Sequence, residues 1–219
     1  KSPKKFSYKD TEVIISNLPF KLTKDQIKVL NEIYQDLLGN NRMFRIIQGD
    51  VGSGKTIVAL LSILSVIRSG FQCALMSPTE ILAKQHYELS KKIFKDENLN
   101  IEFLTGKTEY RKKKNILKNL RNNKIDFLIG THALFQKKII FKKLGLVVID
   151  EQHKFGVKQR SDLAKKGGDQ CDVLLMSATP IPRTMMMSLY GDMDISKITE
   201  KPAKRKKIIT LSKPEKKIN

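Results

Sequence analysis

Short apolar runs alternate along the chain with longer stretches in which apolar residues return every three or four positions. MFRII (43–47), CALMS (73–77), IEFL (101–104), DFLIG (126–130), LVVI (146–149) and VLLMS (173–177) read as strands. IVALLSILSVI (57–67) has helical length and no breaker. TEILAKQHYELSKKIFK (79–95) sets Leu82, His86, Leu89 and Ile93 on one helical face. TEYRKKKNILKNLRNN (108–123) is a basic helix with Ile116, Leu117 and Leu120 inward. Continuous apolar strands separated by helices predict an α/β fold, a mainly parallel sheet with helices on both faces.

The unusual residues follow the strands. GD stands after the first, PTE after the second, TG after the third, THAL after the fourth, DEQH after the fifth and ATP after the sixth. Ligands of open α/β sheets bind at the carboxyl ends of the strands, so these six ends predict one functional rim.

QGDVGSGKT (48–56) fits G-x-x-x-x-G-K-[ST] through Gly49, Gly54, Lys55 and Thr56. A strand before it and a helix after it supply the context that motif needs. The loop Gly49, Asp50, Val51, Gly52, Ser53 and Gly54 would turn backbone N–H groups around an anion at a helix N-terminus. Lys55 would reach the β- and γ-phosphates of a nucleotide, and the Thr56 hydroxyl would ligate Mg²⁺. The bland alternative is a glycine-rich turn that binds nothing. LVVIDEQH (146–153) supplies the other half: Asp150 would hold Mg²⁺ through its water shell, and Glu151 would orient and deprotonate an attacking water. Two surface acids ending a strand are the bland alternative there. Gln152 and His153 would hydrogen-bond toward the γ-phosphate or toward the Ser-Ala-Thr loop.

Composition narrows the class. The chain has 219 residues and a formal charge of +20, mostly from lysine. The charge fits a nucleic-acid partner, and an AT-rich genome would also produce it. Cys73 and Cys171 sit in apolar runs without metal-ligand spacing, which predicts buried free thiols and a reducing, cytoplasmic compartment. No apolar run reaches membrane-spanning length, and the basic start lacks a signal-peptide core, so no membrane is expected. A start at Lys1 rather than Met suggests a piece of a longer protein.

GDVGSGKT, SPTEILAKQH, LTG, GTHAL, DEQH, FGVKQR and SATPIPRT occur in this order, with GDMDIS (191–196) close behind. From about Leu18 to Pro202 the chain resembles the first RecA-like motor lobe of the RecG family, ATP-dependent branched-DNA helicases of superfamily 2. The Mfd family of transcription-repair coupling translocases is the nearest rival. It would place an aromatic at Ser53, PTT at PTE and Glu at Gln152; this chain takes the RecG choice at all three.

The resemblance implies a RecA-like P-loop NTPase lobe over 18–200, a lead-in from an upstream domain over 1–17, and a basic linker toward a second lobe over 201–219. LPFKLTKDQ (18–26) is similar to an adenine-reading motif, with Phe20 packing near the base, Thr23 at a helix start and Gln26 offering its amide. An ordinary N-capped helix at Thr23 would hold alone or alongside that role. Pro78, Thr79, Glu80, Thr105, Gly106, Thr131 and His132 resemble contacts to the phosphate backbone of one DNA strand, with turn or cap chemistry as the alternative. Ser177, Ala178, Thr179 and Arg183, with Gln152 and His153, would couple hydrolysis to DNA grip.

The implied function is an ATP- and Mg²⁺-dependent motor that remodels forks and junctions as a monomer, in repair and recombination. A fork-splitting wedge would precede Lys1. A second lobe carrying an arginine finger, worth ~10³–10⁵ in turnover, would follow Asn219. An Mfd-like lobe and a non-motor, nucleotide-switched binding module are the alternatives.

Overall fold

The computed structural model describes residues 3–151, 171–179 and 193–200. Helices α1 (Tyr8–Asn17) and α2 (Lys24–Leu38) precede β1 (Phe44–Gly49). There follow α3 (Lys55–Arg68), β2 (Gln72–Met76), α4 (Glu80–Ile93), β3 (Ile101–Leu104), α5 (Tyr110–Arg121), β4 (Phe127–Gly130), a 3-10 helix (His132–Phe135), β5 (Leu144–Ile149), β6 (Asp172–Ser177) and β7 (Asp194–Ile198). The described strands form one sheet in the order β3-β4-β2-β5-β6-β1-β7, and every neighbouring pair is parallel.

The sheet has a core on each side because successive strand residues point to opposite faces. Ile47, Cys73, Leu75, Leu146, Val148 and Leu174 join one core with residues of α1 to α4. Ile46, Ala74, Met76, Val147, Ile149 and Leu175 join the other with Ile116 and Leu120 of α5. Helix α3 is buried along nearly its whole length. It runs between the sheet and the outer helices α1 and α2, so an all-round apolar sequence is what its position requires.

Two elements depart from the expected pattern. The strand β7, DISKI, carries alternating polar residues at a sheet edge, so it lacks the mainly apolar run that marks the other six. On α4 the fully buried positions are Ala83, His86 and Ser90, whereas Leu82, Leu89 and Ile93 are half-buried. Small or polar side chains face inward there because the helix lies close on β3 and β4.

Residues 3–17, expected as a lead-in, pack onto the lobe. Lys4 Nζ meets Asp172 Oδ2 at 2.8 Å with both side chains fully buried, and Lys4 N donates to Leu37 O at 3.0 Å. Phe6, Tyr8 and Tyr34 pack edge to face, their centroids 5.0–6.0 Å apart. The basic linker expected over 201–219 lies outside the described residues. Among the described residues, no helix is long and apolar enough to cross a membrane.

Candidate active site

The loop between β1 and α3 is shaped by glycines that nothing else could replace. Gly54, the residue capping α3, has φ +89°, and a Cβ there would lie 2.2 Å from Gln26 Nε2. A Cβ on Gly49 would fall 2.7 Å from both Ile198 O and Ser53 Oγ, so neighbouring β7 fixes that glycine. No side chain caps α3, which leaves its first N–H groups and the positive end of its dipole to an anion. Lys55 Nζ donates to Gly49 O at 2.5 Å and Asp50 O at 3.0 Å. Burial pulls the Lys55 ammonium below its ordinary pKa, while Asp150, Glu151 and Asp50 draw it upward. Thr56 is half-buried on the first turn of α3, and Val51 stands exposed at the loop tip.

The acidic pair ends β5. Asp150 is nearly buried and its Oδ2 lies 2.7 Å from His86 Nε2 on α4. Glu151 has φ +49°, a left-handed conformation rare outside glycine and frequent at functional sites. In the sheet order β6 separates β1 from β5, so Ser177, Ala178 and Thr179 leave the sheet between the loop and the acids. Ser177 Oγ accepts from Thr179 N at 3.2 Å and lies 3.1 Å from Thr179 Oγ1, closing a tight turn. Gln152, His153 and Arg183 lie outside the described residues.

Strands β2, β4 and β3 carry the other half of the rim. Thr79 is exposed and caps α4, its Oγ1 accepting from Leu82 N at 3.2 Å. Glu80 pairs with Lys107 at 3.3 Å, joining the ends of β2 and β3. Pro78 is half-buried, and Gly106 and His132 are exposed. Thr105 and Thr131 differ from expectation: both side chains are buried. Thr105 Oγ1 accepts from Lys107 N at 3.2 Å, so its hydroxyl shapes a turn. A phosphate contact at either threonine would have to come from the backbone.

The model of the DEAD/DEAH box helicase family matches residues 23–188, which span the loop, the acidic pair and every described rim segment. The chain belongs to the DEAD/DEAH box helicase family. It is 53% identical over 197 residues to the ATP-dependent DNA helicase RecG of Aquifex aeolicus, covering 90% of this chain and 25% of that protein. It is 49% identical over 217 residues to RecG of Thermotoga maritima, covering 99% of this chain and 28% of that one. A solved structure of RecG bound to a three-way DNA junction superposes with a TM-score of 0.82 and 46% identity, over 94% of this chain and 27% of the other. The chain thus spans about a quarter of the length of these relatives.

In this helicase lobe Thr23 and Gln26 form a full capping box at the start of α2. Gln26 N donates to Thr23 Oγ1 at 3.2 Å and Thr23 N donates to Gln26 Oε1 at 2.9 Å. Gln26 Nε2 donates to Ser53 O at 2.7 Å, and the side chain is buried. The amide therefore faces the loop, and Phe20 is the exposed large hydrophobic of the segment. The brace from α2 to the loop and the His86–Asp150 contact were not legible in the sequence. Gln26 and His86 stood in recognised segments, but their partners lie 27 and 64 residues away.

The residues present fit a phosphate-bound Mg²⁺ better than a protein-caged metal. Among the described residues no three His, Cys, Asp or Glu side chains gather around a common point. Mg²⁺ in nucleotide sites needs only one or two protein oxygens, the rest coming from phosphates and water. Thr56 and the nearly buried Asp150 supply that kind of donor set.

Proposed function

We propose that this chain is the nucleotide-binding motor lobe of a RecG-type ATP-dependent DNA helicase that remodels branched DNA. One observation carries the reading: an uncapped helix start with Lys55, the turn Ser177–Thr179 and the pair Asp150–Glu151 stand on consecutive strands β1, β6 and β5 of one rim. That rim continues along β2, β4 and β3. Nucleotide chemistry and DNA contact would thus share a rigid edge. The relatives near half identity carry the RecG name, which favours branched DNA over the transcription-repair coupling alternative.

In this reading the loop N–H groups and Lys55 bind the phosphates, and Thr56 and Asp150 hold Mg²⁺. Bound there, the metal would supply charge neutralisation to the phosphates. Glu151 orients a water for in-line attack on the γ-phosphorus and accepts its proton as the bond to the β-γ bridging oxygen breaks. Phe20 packs near the adenine. Gln26 would read the base edge only after exchanging its bond to Ser53. Ser177, Ala178 and Thr179, with Gln152, His153 and Arg183, pass the hydrolysis state to the DNA side. Pro78, Thr79, Glu80, Gly106 and His132, with backbone at Thr105 and Thr131, touch one strand's phosphates. A second lobe and a wedge domain of the same protein complete a cytoplasmic, monomeric motor.

The test is nucleotide binding and turnover by this chain. The reading predicts measurable Mg·ATP binding and a turnover close to background, with or without forked DNA, because the arginine finger belongs to the second lobe. Failure to bind nucleotide would overturn it.

A further inference from the structure

His86 belongs to none of the roles assigned above, yet it makes the one direct contact to the Asp150 carboxylate among the described residues. Its Nε2 lies 2.7 Å from Asp150 Oδ2, with both side chains about nine-tenths buried. A carboxylate can only accept, so the bond requires hydrogen on Nε2. The backbone that carries it is anchored: Ser90 Oγ donates to the His86 carbonyl at 2.6 Å one turn along α4, and Ala83 one turn back is fully buried. Thr79 caps the same helix at the rim, two turns before His86.

A histidine buried on a helix face needs a polar partner, and any backbone carbonyl would serve. This one instead takes one oxygen of the carboxylate that ends β5 next to Glu151 and leaves Oδ1 without another described hydrogen bond. Partners in that position fix the orientation of a metal-binding carboxylate, and their loss typically costs 10–100-fold in metal affinity or activity. Resting on the nucleotide-site reading above, we infer that His86 is a positioning residue for Asp150. It orients the carboxylate toward the Mg²⁺ water shell and ties that carboxylate to the helix whose first turn stands in the DNA-facing half of the rim.

The experiment measures ATP affinity of this chain across a Mg²⁺ titration and in EDTA, for wild type, His86→Leu and His86→Gln. His86→Leu removes the donor; His86→Gln keeps an N–H near the same point. We expect the EDTA affinity to be the same in all three. The Mg²⁺ concentration for half-maximal gain should rise about tenfold or more in His86→Leu, and His86→Gln should recover most of that loss. A folded His86→Leu variant with wild-type Mg²⁺ dependence would overturn the inference. So would equal loss in both variants, which would reduce His86 to packing. Should His86→Leu fail to fold, the long-range ¹H–¹⁵N spectrum of the wild type decides. Hydrogen on Nε2 and a shift of that resonance on adding Mg·ATP are expected; an Nε2 without hydrogen contradicts the bond. A wild-type chain that gains nothing from Mg²⁺ would overturn the nucleotide reading as well. A Mg²⁺ gain indifferent to His86 would overturn this inference alone.

Discussion

Gln26 Nε2 donates to the carbonyl of Ser53 at 2.7 Å, joining the first turn of α2 to the loop between β1 and α3 across 27 residues. The same amide accepts from Thr23 N through Oε1, so one side chain both caps a helix and braces the loop. The substitution Gln26→Glu separates the two functions. It keeps an acceptor for Thr23 but sets a carboxylate oxygen against the Ser53 carbonyl. Nucleotide affinity should fall about tenfold, the equivalent of one charge-assisted clash of ~1.4 kcal/mol, while far-UV helicity is unchanged. Calorimetric titration with ATP checks it.

At Lys55 stability and the proposed phosphate-binding role oppose each other. Burial holds its pKa below the ordinary 10.5, so the unfolded chain binds its proton more tightly than the folded one. Stability linked to Lys55 is therefore reduced at neutral pH and recovers as pH rises toward 10.5. The variant Lys55→Met should lose nucleotide binding by at least about tenfold with no fall in melting temperature. Unchanged affinity would remove the phosphate-binding role.

The Lys4–Asp172 pair is fully buried at 2.8 Å. Breaking it from one side should cost about 3–5 kcal/mol, because the other charge stays buried alone. Lys4→Met should therefore unfold at markedly lower denaturant. Adding Asp172→Asn, which keeps an acceptor for the Met43 N–H that Asp172 Oδ1 now receives at 2.7 Å, should recover most of the loss. A double-mutant cycle in urea measures the coupling.

Both cysteines should resist alkylation in the folded chain and react at once in denaturant. Cys73 and Cys171 are buried free thiols. Burial pushes Cys73 well above 9.0 and Cys171 from 9.0 to about 12. A raised folded pKa contributes stability below the unfolded value and loses it as pH rises, so Cys171 should destabilise the fold between pH 9.0 and about 12. Replacing it with alanine should flatten the stability profile in that window.

Much of the sheet is legible in the amino-acid sequence. Six strands were legible as short, mainly apolar runs because a parallel sheet covered on both faces buries most positions of its strands, with Arg45 and Glu102 as the charged interruptions. The glycine loop before α3 and the acidic pair after β5 could be marked as candidates because their motifs depend on local spacing. The strand β7 was not legible, since DISKI has only two apolar residues, set among polar ones. Thr105 and Thr131 matched contact motifs in type, but their hydroxyls turned out buried, which depends on packing rather than sequence order. Long-range pairs such as His86–Asp150 and Lys4–Asp172 are fixed only when the sheet order brings distant segments together.

On the proposed reading this rim hydrolyses ATP to drive work on branched DNA. The most direct measurement is the ATPase rate of the full-length protein on forked DNA, on linear duplex and without DNA, beside the Glu151→Gln variant. Forks should stimulate strongly and linear duplex weakly, and the Glu151→Gln variant should bind ATP but turn over at background. Equal rates with and without forks, or near-normal turnover in Glu151→Gln, would contradict it.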